Sequence, residues 1–317
     1  MESLSLVAKN IEDRDFFCII THNYPDGDAV GSAFGVCRLL QKIGKHAKVN
    51  FGCEIPEKFR FLSEYIIQEE FEPKNYIAVD LADTQLLHES LKNLSDRVDI
   101  CIDHHKSNKN YAKINYVDGG AAANCEVLFE LAKEFGIEMD KELAECLYVG
   151  ISTDTGAFMY TNTTARTHRI AAELLTYDIN ANEINEKLFI METKKHFELK
   201  KIIYNNLKFC FDNTVAISYV TLEEMQKAGI SDNELDGIAS IPIKIEGVEL
   251  GITVREKADG YCKVSVRTRN KIDADKFCAN FGGGGHERAG GFNIEGKALE
   301  AVAKIKSFVE SLQGESR

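Results

Sequence analysis

Three short apolar runs early in the chain each end on acidic or imidazole side chains: FFCIITH at 16–22, YIAVD at 76–80 and VDICIDHH at 98–105. Amphipathic segments separate them. DAVGSAFGVCRLLQKIG carries Val30, Ala33, Phe34, Cys37 and Leu40 on one helical face, with Gly44 as its stop. PEKFRFLSEYI and TQLLHESLKNL read as further helices, and AKVNF as another strand. Short buried strands alternating with helices predict an α/β fold with a doubly wound, mostly parallel sheet. In such a sheet the carboxyl ends share one edge, where doubly wound folds bind ligands.

That edge therefore collects His22, Asp80, Asp103, His104 and His105, with Asp26 and Asp28 in the turn of THNYPDGDAVGS, 21–32. A fourth piece, Asp154, follows an apolar helical stretch in ISTDTGAFMYTNTT, 151–164. Each has an ordinary explanation by itself. Asp26-Gly27 is common turn chemistry, Asp80 and Asp154 are plausible caps, and a histidine after a strand is usually a surface hydrogen-bonder. Their convergence on one edge favours function. Left unpaired, the carboxylates would repel one another and raise their own pKa values. A divalent cation resolves that conflict, and two resolve it better. Oxygen and imidazole ligands without a thiolate favour manganese or magnesium over a structural zinc.

Composition narrows the partners. The formal charge is −12, from 50 acidic and 38 basic residues, so no overall basic face exists to hold long duplex nucleic acid. No apolar run reaches the ~18 residues of a membrane span. MESLSLVAKNIEDRD lacks the basic-then-apolar order of a signal peptide, and a cytoplasmic protein with no membrane partner is expected. The nine cysteines contain no CxxC pair and read as small buried hydrophobes in a reducing compartment.

A length of 317 residues suits two domains. From Ala121 the pattern turns helical through NCEVLFELAKEFG, KELAECLYVGISTDTG and TARTHRIAAELL. The expected division is a catalytic domain over 1–185, a charged helical linker over 186–208 and a smaller α/β domain over 209–317. In the last, TVAISYV, VELGITVRE and YCKVSVRTR read as strands, and KALEAVAKIKSFVESL as a closing helix. Lys263, Ser265, Arg267 and Arg269 alternate with apolar residues and make one strand face basic. Gly282, Gly283, Gly284 and Gly285 allow backbone amides to approach an anion, with His286 following and Arg288 near. Taken alone, these are a flexible loop and a solvated strand face. Beside a metal-bearing domain they become an anion clamp for a terminal phosphate group, with Arg267 and His286 foremost.

THNYPDGDAVGS, the VD at 79–80, the DHH at 103–105 and STDTG at 152–156 resemble, in order and spacing, the four motifs of the DHH phosphoesterase superfamily. GGGGHERAGGF, 282–292, is similar to the GGGH signature of the DHH-associated C-terminal domain. Length and layout look like the branch of short oligoribonucleases and pAp phosphatases. The chain departs from the usual pattern at Leu81, Gln85, Leu86 and Gly290. The resemblance implies two manganese ions, with magnesium or cobalt as substitutes. One ion takes His22, Asp26 and Asp80; the other takes Asp28, Asp80, His104 and Asp154. It casts Asp103 as a carboxylate orienting an imidazole and His105 as the residue facing the substrate phosphate. The implied substrates are short single-stranded RNA and 3′-phosphoadenosine 5′-phosphate (pAp). The alternative is cyclic di-AMP or its linear product pApA, and a homodimer stays open. A family II pyrophosphatase carries a different tail signature, a RecJ-type exonuclease is usually longer, and a non-catalytic nucleotide sensor has no need of a full ligand set.

Overall fold

The computed structural model describes residues 2–231, 235, 237–269 and 272–314. It divides into two compact units, Met1–Met191 and Glu192–Arg317, each built on its own sheet.

The first unit runs α1 (Leu4–Glu12), β1 (Phe17–Ile20), α2 (Gly27–Lys42), β2 (Ala47–Val49), β3 (Asn75–Val79), β4 (Ile100–Asp103), β5 (Ile114–Val117), α3 (Asn124–Glu134), α4 (Lys141–Asp154), α5 (Ala165–Leu174) and α6 (Ala181–Asn185). Its strands form one all-parallel sheet in the order β2-β1-β3-β4-β5. The order reverses at β1, so the carboxyl ends of β1 and β3 flank the switch point where such sheets take ligands. Alternate β1 residues serve opposite faces. Phe17 and Ile19 join the core beneath α2, α3 and α4, whereas Cys18 and Ile20 join Leu81, Leu87 and Leu91. Burial on both faces is why this run is apolar without alternation.

α2 is buried around most of its circumference and packs closely on α4. A Cβ at Gly31 would stand 2.5 Å from the Cys146 carbonyl oxygen, and one at Gly27 would stand 2.3 Å from Thr153 Oγ1. Side-chain size at the contact sets helix separation, and here there is almost none.

Some expectations are corrected. TQLLHESLKNL forms two short 3-10 turns, Thr84–Leu86 and Glu89–Leu94, instead of one helix. Asp83 accepts from Gln85 N at 2.9 Å and His88 Nδ1 from Ser90 N at 3.2 Å, so side chains take amides that a continuous helix would use. PEKFRFLSEYI is likewise 3-10, over Glu57–Tyr65. The edge strand β5 was not anticipated, because INYV is only half buried and breaks the apolar signal.

The second unit runs α7 (Lys194–Asn205), β6 (Lys208–Cys210), β7 (Val215–Val220), α8 (Leu222–Lys227), β8 (Leu250–Glu256), β9 (Tyr261–Thr268), α9 (Ala274–Ala279), β10 (Gly284–His286), β11 (Ala289–Glu295) and α10 (Ala298–Gly314). The sheet order is β10-β11-β9-β8-β7-β6, antiparallel apart from the β7–β8 pair. α7, within the stretch expected as linker, buries Leu199 and Ile203 against Val220 and Met225 of this unit. GGGGHERAGGF is a hairpin, pairing Gly284 with Gly291 and Gly285 with Gly290. Among the described residues no helix is long and apolar enough to cross a membrane.

Candidate metal centre

The loop after β1 places the first three groups. Asp26 caps α2, its Oδ1 accepting from Asp28 N and Ala29 N at 3.1 Å each, and its side chain is 60% exposed. Asp28, in the first turn of α2, is wholly buried. Its Oδ1 accepts from Cys125 N at 3.0 Å and its Oδ2 from Asn124 N at 2.5 Å, so it also serves the amino end of α3. Two carboxylates two residues apart thus have different partners, one capping α2 and the other meeting α3. His22 turns Nδ1 to the Asn23 carbonyl at 3.0 Å, leaving Nε2 3.8 Å from Asp80 and 4.0 Å from Asp26.

Asp80 sits just past β3 with φ +49°, a left-handed conformation that aspartate tolerates better than most residues. His104 follows β4. Its Nδ1 faces the Ala121 carbonyl oxygen at 3.2 Å, which directs Nε2 inward to within 3.4 Å of Asp80, 3.4 Å of Asp154 and 3.7 Å of Asp28. Asp154 ends α4, and the glycine contact brings it to Asp28: a Cβ at Gly150 would stand 2.5 Å from Asp28 Oδ1.

Two trios result. Donor atoms of His22, Asp26 and Asp80 lie within 4.8 Å of one another, as do those of Asp28, His104 and Asp154. Asp80 adjoins both. A third trio of Asp80, His104 and His105 meets the same distance, but His105 Nδ1 stands 2.8 Å from Asp103 Oδ1 and is engaged there. Asp103 is fully buried, and its other oxygen accepts from Asn108 Nδ2 at 2.6 Å. These bonds hold the Asp103 carboxyl below its ordinary value in spite of burial, and the Asp103 bond raises His105. The contact favours the charged form of the imidazole, and the histidine side chain is 42% exposed.

The electrostatics of the metal-free cluster are those of a site waiting for cations. Burial, with Asp80 next to it, pushes Asp28 up to about 7, and burial plus Asp28 pushes Asp154 up to about 7. Burial raises Asp80 too. His104 is desolvated, yet Asp80, Asp28 and Asp154 together raise it to about 10. His104 lies close to Asp80 Oδ1 but is not aligned with it, and that buried oxygen has no hydrogen-bond partner. An orphaned carboxylate oxygen amid protonated neighbours is what a hard divalent cation would satisfy. The donor set fits such an ion.

All six expected ligands thus lie together, with Asp103 behind His105. The contacts that went unanticipated are Asn108, the Ala121 carbonyl and the amides of Asn124 and Cys125. The backbone groups have no sequence signature, although Asn108 follows the DHH run closely. The α2 glycines, each four residues from the next, were readable as a small helix face.

In the second unit Arg267 is half-buried, donates from Nη1 to the Val266 carbonyl at 2.9 Å, and forms no ion pair among the described residues. His286 is exposed, and Arg288 pairs with Glu287 at 2.7 Å. Three glycine amides are already used. Gly282 donates to Ala279 O at 3.1 Å, Gly283 to Cys278 O at 3.0 Å, and Gly285 to Asp275 Oδ1 at 2.8 Å. Packing explains two of the four glycines: a Cβ at Gly283 would stand 2.2 Å from the Gly291 carbonyl oxygen, and one at Gly285 would stand 2.4 Å from the Ala289 carbonyl oxygen.

Comparison with known proteins agrees with this picture. The model of the DHH family, N-terminal domain, matches residues 17–151, and the DHHA1 domain matches 212–314. The bifunctional oligoribonuclease and PAP phosphatase NrnA of Thermus thermophilus is 31% identical over 306 residues, covering 95% of this chain and 90% of the relative. The probable enzyme of the same name from Streptococcus mutans is 28% identical, covering 92% and 94%. The crystal structure of an exopolyphosphatase-related protein from Bacteroides fragilis superposes with a TM-score of 0.84 at 26% identity, covering 97% of this chain and 95% of that one. With both domain models in sequence and a relative matched almost end to end, the chain belongs to the DHH family and is a metal-dependent phosphoester hydrolase.

Proposed function

We propose that the chain hydrolyses the phosphodiester bonds of short single-stranded oligoribonucleotides and removes the 3′-phosphate of pAp, in the cytoplasm, at a centre of two manganese ions. The observation that carries this reading is Asp80, whose unpartnered oxygen lies where two ligand trios adjoin. His22, Asp26 and Asp80 would hold one ion; Asp28, His104 and Asp154, with Asp80 shared, would hold the other. Such ions supply Lewis acidity toward a phosphoryl oxygen and a bound water that ionises near neutral pH.

The chain's own residues do the rest. Asp103 favours the charged form of His105, and in that form the half-exposed ring would donate from Nε2 to a phosphoryl oxygen or protonate the leaving oxygen. Asp103 also fixes the ring, which saves the orientation step at the moment of reaction. Exposed rings stand near the ligands: Tyr24 lies between His22 and Asp26, and Tyr160 lies against Gly156, two residues past Asp154. Nucleobases stack on such rings. In the second unit, Arg267 and His286 would hold a terminal phosphate, with Arg288 secondary. The glycines would let the phosphate approach closely without donating from the amides already engaged. The names of the relatives support the substrate class.

The test is hydrolysis by manganese-loaded protein of 5′-phosphorylated RNAs from dinucleotide to decanucleotide, pAp and cyclic di-AMP in parallel. Turnover of the shortest RNAs and of pAp is expected. Preference for cyclic di-AMP would replace this substrate assignment with the signalling one.

A further inference from the structure

The segment between Asp118 and Glu126 serves the metal centre through its backbone. Ala121 O faces His104 Nδ1, and the amides of Asn124 and Cys125 hold both oxygens of Asp28. Ala122 O accepts from Asn162 Nδ2 at 3.0 Å, and the same amide group bonds the Asp154 carbonyl at 3.0 Å. Three candidate ligands therefore depend on one short stretch, DGGAAANCE, in which Asn124 is anchored to Ser32 at 3.0 Å whereas Gly119 to Ala123 offer no polar side chain.

Asp118 is bonded to Asp103 O through its amide and Glu126 lies within α3, and one further residue reaches both. Arg166 Nη1 stands 2.5 Å from Asp118 Oδ2, and Arg166 Nε stands 3.6 Å from Glu126 Oε2. Glu126 is completely buried, and neither of its carboxylate oxygens has a hydrogen-bond partner. The guanidinium is its ion-pair partner among the described residues. Arg166 also occupies the first turn of α5, where the helix dipole disfavours a cation. Helix stability does not account for an arginine there, whereas a planar fork reaching two carboxylates does.

We propose that Arg166 is a positioning residue for the metal centre. By tying Asp118 to Glu126 it fixes the segment that sets the ring face of His104 and the carboxylate plane of Asp28. Groups bonded directly to metal ligands change metal affinity about 10- to 100-fold when removed, and Arg166 acts through such groups.

The test uses full-length protein and three readouts: manganese affinity by calorimetric titration, melting of the metal-free chain, and kcat with KM. Arg166→Gln is expected to weaken manganese binding about 10-fold or more and to lower kcat. It leaves Glu126 buried without a counter-charge, so the melting temperature should fall as well. Adding Glu126→Gln removes that charge and should restore melting while manganese binding stays weak. Unchanged affinity in Arg166→Gln, or recovery of affinity together with melting in the double variant, would overturn the proposal and leave Arg166 a partner for a buried charge only.

Discussion

At the scale of single residues, the metal-free site is held together by protons. Asp28 and Asp154 keep theirs up to about pH 7, whereas unfolded carboxyls release near pH ~3.9. Across that window the folded chain binds more protons than the unfolded one, so metal-free stability falls as pH rises. His104, raised to about 10, adds stability that is complete below its unfolded value and is lost on the way up to that pH. Cation binding must displace these protons and therefore strengthens with pH. The rise in melting temperature produced by manganese should be larger at about pH 8 than at about pH 6. Equal rises would show that the ligands are already deprotonated. Asp80→Asn separates the two roles of that residue. It should reduce turnover by about 100-fold or more, as loss of a principal electrostatic element does. In the metal-free chain it removes a buried charge together with the group that most supports the charged form of His104, so the fall of metal-free stability with rising pH should become shallower. An unchanged slope would show that Asp80 does not pair with His104 in that state.

At the scale of elements, the decisive contact is α2 on α4. A Cβ at Gly150 would fall 2.2 Å from Cys125 Sγ as well as against Asp28. Gly150→Ala should destabilise by ~1–3 kcal/mol, the usual penalty for overpacking, and should weaken manganese binding because Asp28 and Asp154 move apart. Thermal melting and metal titration together check this; lost stability with unaltered affinity would uncouple the helix contact from the site. The sequence made β1, β3, β4 and the convergence of the six candidate ligands legible, because buried parallel strands are apolar throughout and these side chains stand near their ends. It hid what depends on backbone and edge. β5 is half polar, the helix expected at 84–94 is broken by Asp83 and His88, and the glycine run of the tail packs a hairpin instead of opening a loop.

At the scale of the whole molecule, the candidate metal ligands found among the described residues lie in the first unit, and the residues proposed for a terminal phosphate lie in the second. Arg267→Ala should raise KM for pAp and short RNA about 10-fold, the loss of one charge-assisted contact, while hydrolysis of a simple aryl phosphodiester stays the same. Equal losses on both substrates would place Arg267 in the chemistry instead. The bare contact of α2 with α4 has a further meaning. Asp28 and Asp154 are spaced by two abutting backbones, which cannot adjust as rotamers do. The second ligand trio is therefore a gauge more than a cage. A magnesium-sized ion asks only that carboxylates turn, whereas calcium, with bonds ~0.3–0.5 Å longer, asks two helices to part. Calcium should compete poorly with manganese in titration, and an equal contest would mean the helices yield. Ion choice in this protein would then be written in its glycines.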